Sequence, residues 1–62
     1  MKKFIYVICV RTIGGSGNII RYIDIATADR ERAIARSDEL NAHCHDDPDY
    51  LAYVEGPIEV ID

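Results

Sequence analysis

The sequence has little of what short chains commonly use to hold a fold or run a reaction. Two cysteines, Cys9 and Cys44, stand in 62 residues, too few to read as a disulfide framework. No CxxC or HxxxH spacing occurs, so the paired-ligand pattern of structural zinc sites is missing. No Ser-His-Asp spacing and no carboxylate pair in an apolar stretch occurs either, which removes the usual signals of acyl-transfer and acid–base chemistry. Positive charge is scarce: seven Lys and Arg against eleven Asp and Glu give a net charge of -4 and a pI near 4.9. A phosphate backbone needs a basic surface, so a nucleic-acid partner is not expected; the acidity also falls short of DNA mimicry. Long hydrophobic runs are absent. The run Phe4–Val10 is bounded by Arg11 with no small-residue cleavage site, and it is too short to span a bilayer. No membrane association and no targeting are expected, the cytoplasm is the default compartment, and both cysteines are read as reduced there.

What is present is a globular balance, 48% hydrophobic and 29% charged. The expectation is one small domain over residues 1–62. A chain this short buries only about 60% of its unfolded surface, so it gains from a disulfide, a metal or a partner chain.

Residues 3–13, KFIYVICVRTI, are β-branched and aromatic with both parities apolar, as in a strand covered on both faces or seated centrally. The cluster GGSGN leads into IIRYIDIAT at 19–27, which reads as an antiparallel hairpin. A strand follows these glycines, so the helix N-terminus that a phosphate loop uses is lacking. ADRERAIARSDELNAHC is rich in helix formers, and Asp29 or Thr27 can cap it. Ala33, Ser37, Leu40 and Cys44 fall on one narrow face, flanked by Ile34 and Asn41. Pro48 stops the helix. Residues 50–61 form a third strand in which Gly56-Pro57 predicts an edge position or a bulge.

The order β-β-α-β predicts an α+β fold: a three-stranded antiparallel sheet, order 2-1-3, with one helix packed on one face. The most apolar strand takes the centre and the proline strand an edge. One helix covers one face. We expect Ile5, Val7, Cys9, Ile23, Ile25, Val54, Ile58 and Val60 beneath it. Tyr6, Ile8, Val10, Ile20, Tyr22, Leu51 and Tyr53 then form an open, tyrosine-rich face, expected to be a protein interface. Aromatics on an open sheet also suit single-stranded nucleic acid, but Arg11 and Arg21 are the only cations on nearby strand positions.

NAHCHDDPD at 41–49 gathers metal-ligating side chains. If the helix runs through Cys44, His43 and His45 point apart and Cys44 packs as a small hydrophobe. If it ends near Asn41, an extended His43-Cys44-His45 could chelate with Asp46, Asp47 or Asp49. The first reading is preferred, since histidines suit a helix C-terminus; no metal or other cofactor is expected.

Tyr6-Val7-Ile8, Arg30-Glu31-Arg32-Ala33 and Tyr53-Val54-Glu55 give the chain a pattern. It resembles a group of short uncharacterised proteins from bacteriophages and bacteria: a YVV-type strand, a short hairpin, a Ser/Thr-capped REKAEA-type helix and a closing YxVEExEVD-type strand. Gly56-Pro57 and His43-Cys44-His45 depart from it. The shared motifs are structural, and no site residue carries over. The resemblance implies a phage or prophage accessory protein, a class that often binds a host protein. The functional expectation is a non-enzymatic protein-binding module that self-associates as a homodimer, or binds and inhibits a host protein. The alternatives are a small metal-binding protein and a single-strand nucleic-acid binder.

Overall fold

The apolar N-terminal segment forms the longest strand, β1 (Lys2–Ile13), in the computed structural model, which describes residues 2–61. β2 (Ile19–Thr27) returns beside it through the glycine-rich turn. There the Gly14 N–H donates to the Asn18 carbonyl at 2.8 Å, and Gly17 takes a φ of +85°, a left-handed conformation that glycine adopts without steric cost. Helix α1 (Arg30–His43) and β3 (Leu51–Ile61) complete the ββαβ order. β1 lies centrally and antiparallel to both neighbours, in the order β2-β1-β3. This is the α+β fold expected from the sequence. Among the described residues no helix is long and apolar enough to cross a membrane.

α1 begins at the anticipated cap. Asp29 Oδ1 accepts from the N–H groups of Glu31 and Arg32 at 3.0 and 3.3 Å, and Thr27 Oγ1 accepts from the Asp29 N–H at 3.1 Å. The helix ends at His43, and the Cys44 N–H closes it on the Leu40 carbonyl at 3.1 Å. Its buried face is narrow: Ala33 and Ser37 are buried, with Ile34, Leu40, Asn41 and Cys44 half-buried. Small side chains at 33 and 37 allow the helix to lie close to the strands.

Which side of the sheet it covers differs from the expectation. Ile8 and Val10 are 0% and 1% exposed. The ladder sets Val10 opposite both Tyr22 and Ala52, and Ile8 opposite both Ile25 and Val54. Directly opposed residues share a face, so the even-numbered residues of β1 lie under α1. Tyr6, Ile8, Val10, Ile20 and Tyr22 are therefore on the helix side, whereas Leu51 and Tyr53, paired with Arg11 and Cys9, are on the other. The seven residues expected to form one open face are split between two. Ile5, Val7, Cys9, Ile23, Ile58 and Val60, expected under the helix, lie on the open side; Ile25 and Val54 lie beneath α1.

The physical reason is twofold. Both parities of β1 are apolar, so alternation alone does not say which meets the helix. Two bulges then shift parity on the outer strands. Asp24 is an extra residue on β2 where the register slips between Ile8 and Cys9. Gly56 and Pro57 together oppose Tyr6 where it slips between Ile5 and Val7. Uninterrupted alternation would keep Val54, Ile58 and Val60 on one face; the second bulge separates Val54 from the other two. Gly56 sits at φ +135°, and a Cβ there would come within 2.8 Å of the Ile5 carbonyl oxygen. Glycine is what lets the bulge close against β1.

Candidate interaction face

The open face is built from the odd-numbered residues of β1 and their partners. Along β1 the rows are Ile5 with Ile58, Val7 with Ala26 and Glu55, Cys9 with Ile23 and Tyr53, Arg11 with Arg21 and Leu51, and Ile13 with Ile19. Val7 is sheltered by its neighbours, but Ile13, Ile19, Ile23, Leu51 and Ile58 are between 39% and 66% exposed. Five large exposed aliphatic side chains on one sheet face, set on both sides of the Arg11–Arg21 row, are more apolar surface than scattered single hydrophobics give. The molecule measures 44 × 22 × 11 Å, a thin slab whose broad side is this sheet.

Charge on the face is arranged by row. Arg11 and Arg21 stand directly opposite each other across β1 and β2, a like-charge pairing that disfavours the isolated sheet. With Ile13, Ile19, Pro48 and Asp49 they line a shallow depression of about 230 Å³. Among the described residues no carboxylate lies within ion-pair distance of either guanidinium. Two rows away is Glu55, whose Oε2 accepts from the Cys9 Sγ at 3.7 Å. Burial, and then the Glu55 charge, push the Cys9 thiol above its ordinary pKa, which holds it in the protonated, weakly nucleophilic form.

The helix side is closed by polar contacts that sequence reasoning missed. Asn41 Nδ2 donates to the Ala52 carbonyl and Asn41 Oδ1 accepts from the Ala52 N–H, both at 2.9 Å. The side-chain amide thus acts as one residue of a further strand on the outer edge of β3. Arg36 grips Asp24 through Nε and Nη2 at 2.8 and 3.3 Å and reaches Glu39 at 2.7 Å, tying α1 to the bulge of β2. That hydrogen bond holds the Asp24 carboxyl below its ordinary range against an opposing desolvation. Tyr50 packs against Tyr22 and Cys44, and its hydroxyl is pushed up to about 12, chiefly by burial and then by Tyr22 and Cys44. The tyrosines do not share a face: of the four, Tyr53 alone is on the open side. The aromatic platform envisaged for single-stranded nucleic acid is not formed.

The His43-Cys44-His45 segment is a helix end. His43 and His45 are exposed; His45 Nδ1 donates to the Ala42 carbonyl at 3.0 Å and Nε2 lies 3.0 Å from Asp46. Asp47 Oδ1 accepts from the Asp49 N–H at 2.9 Å, shaping the turn. Among the described residues, no three His, Cys, Asp or Glu side chains converge where one metal ion could bind them.

One site signal was legible in advance. Arg11 and Arg21 are equidistant from the Gly14–Asn18 turn, so a regular hairpin opposes them. Asn41 offers no such signal, since its partner is a backbone pair eleven residues on.

No family model, curated protein or solved structure matches the chain, and the likeness to short phage and bacterial proteins rests on the sequence pattern alone.

Proposed function

We propose that the chain is a protein-binding module whose first partner is a second copy of itself, docked through the open sheet face. The observation that carries this is the uncovered patch of Ile13, Ile19, Ile23, Leu51 and Ile58. Fully burying a large aliphatic side chain stabilises by roughly 1.5–3 kcal/mol, and each of these five has a substantial part of that still to gain. A small domain has only about 3–5 kcal/mol of its own from such a core, so a two-fold pairing that buries two patches at once is a large addition. The broad side, 44 by 22 Å, is on the scale of the roughly 800 Å² per partner of a stable interface. Edge-to-edge pairing is disfavoured along β3 by the Asn41 clamp and by the bulge at Gly56-Pro57.

Sedimentation equilibrium at tens of micromolar tests the reading. The expected mass is twice the 7.0 kDa of one chain. Ile23→Lys is expected to give a folded monomer, because residue 23 is 66% exposed and lysine there disturbs only the docked state. Tyr22, expected from the sequence on the open face, lies on the helix side opposite Val10 and does not report on this face. A monomeric wild type would overturn the proposal, and a dimer indifferent to lysine at 23 would place the contact elsewhere.

A further inference from the structure

The open face carries its charges in separate rows, and those rows constrain how two copies can meet. Building on the self-association proposed above, we infer that the dimer is antiparallel, with the two-fold axis lying across the strands near the Cys9 row. In that arrangement Arg11 of each copy, the central member of the Arg11–Arg21 pair, receives Glu55 of the partner.

Two sheets packed face to face about ten ångströms apart can be related by a two-fold axis along the strands or across them. An axis along the strands keeps every row at its own height. Row 11 of one copy then meets row 11 of the other, and with the axis over β1, or between β1 and β2, guanidinium stacks against guanidinium. The Glu55 row is four residues away along β1, roughly 13 Å, which is longer than the screening length of about 8 Å at physiological salt. This arrangement buries four arginines with no counter-charge brought to them.

An axis across the strands reverses the rows. Centred on the row of Cys9, Ile23 and Tyr53, it brings row 11 of one copy over row 7 of the other. Row 7 is Val7, Ala26 and Glu55. Lateral positions are kept, so Glu55 of the partner falls over β3, one strand from Arg11 and within reach of its long side chain. The contact occurs twice by symmetry. Ile5 and Ile58 meet Ile13 and Ile19 in the flanking rows, so aliphatic rows meet aliphatic rows. The unrelieved Arg11–Arg21 opposition in the single chain thereby finds its carboxylate, with Asp49 at the rim of the same depression.

The experiment is a charge swap read by sedimentation. Glu55→Arg alone and Arg11→Glu/Arg21→Glu alone are each expected to dissociate at least about tenfold more readily than wild type, because like charges then face each other. Mixed in equal amounts, the two variants are expected to form a heterodimer of near wild-type affinity. Both variants carry net negative charge, so general attraction does not produce that result. Circular dichroism of each variant checks that the substitutions, all at exposed positions, leave the fold intact.

If Glu55→Arg dimerises as tightly as wild type, the antiparallel register is wrong while self-association stands; an axis along the strands gives this outcome, since row 7 never meets row 11 there. If both variants weaken and the mixture does not recover, the pairing of these rows is wrong. If wild type itself is monomeric, the proposed function falls first and the register with it.

Discussion

Replacing Asn41 with alanine tests how the helix is locked to the sheet. The Asn41 amide satisfies both the N–H and the carbonyl of Ala52 on the outer edge of β3, and Ala52 is 4% exposed. Alanine removes two hydrogen bonds worth about 1 kcal/mol each and leaves a buried donor and acceptor with poor access to water. The expected loss is about 2–3 kcal/mol. In a domain this small each kcal/mol moves the melting temperature by roughly 4–8 °C, so a fall of about 8 °C or more is expected in thermal unfolding. That is most of the stability that a single core of this size commonly supplies. Asn41→Asp separates packing from hydrogen bonding. At neutral pH the carboxylate still accepts from the Ala52 N–H but sets an acceptor against the Ala52 carbonyl. On acidification the protonated carboxyl regains a donor, and the gap to wild type narrows. An alanine variant within about 0.5 kcal/mol of wild type, the range of ordinary surface changes, would refute the clamp.

Two pH effects follow from the same side of the molecule. Arg36 holds the folded-state pKa of Asp24 below its ordinary value, so this carboxylate stabilises the fold above the unfolded pKa and ceases to as pH falls through the folded one. Asp24→Asn is expected to melt lower than wild type at neutral pH, with the gap beginning to close as pH falls below about 4 and closing through the lowered folded pKa; a gap that does not narrow in acid would refute the charge-based role. Tyr50 is raised to about 12 by burial and by Tyr22 and Cys44, so its neutral form is favoured by folding and stability is lost as pH rises from the unfolded value near 10. Tyr50→Phe is expected to flatten that alkaline loss, and Tyr50 is expected to ionise late by ultraviolet absorbance, a late phase that Tyr50→Phe removes; its absence in wild type would count against the contacts that hold this half-buried hydroxyl neutral.

Much of the fold was legible in the sequence because it rests on local chemistry. Gly14–Asn18 can only turn, Asp29 can cap, Pro48 ends the helical pattern, and the most apolar strand belongs at the centre. Even the irregularity at Gly56-Pro57 was marked by residues that cannot continue a ladder. The choice of face was not legible. In β1 both parities are apolar, so Ile8 and Val10 are no more hydrophobic to the eye than Ile5 and Val7. The decision comes from the outer strands and the helix together. Ala52, opposite Val10, is small enough to admit α1, while Leu51 beside it is not, and Asn41 fixes the helix over that alanine. Side chains at long sequence separation settle it.

The same ambiguity shapes what the molecule can do. A strand apolar on both faces needs a cover on both, and the chain provides one helix of 14 residues against a 12-residue central strand. At 1.5 Å per residue the helix is about 21 Å long, whereas the strand at about 3.3 Å per residue runs to roughly 40 Å. The deficit is therefore of two kinds: one whole face, and the overhanging end where Lys2–Ile5 pairs with Ile58–Ile61 alone. A second copy in the proposed antiparallel arrangement would cover the first kind from Ile5 to Ile13 and leave the second outside the interface. Phe4, 49% exposed on the helix side of that overhang, stays outside such an interface. The proposed homodimer would thus consume the larger apolar surface while keeping a two-stranded ribbon of β1 and β3 at each end of the pair.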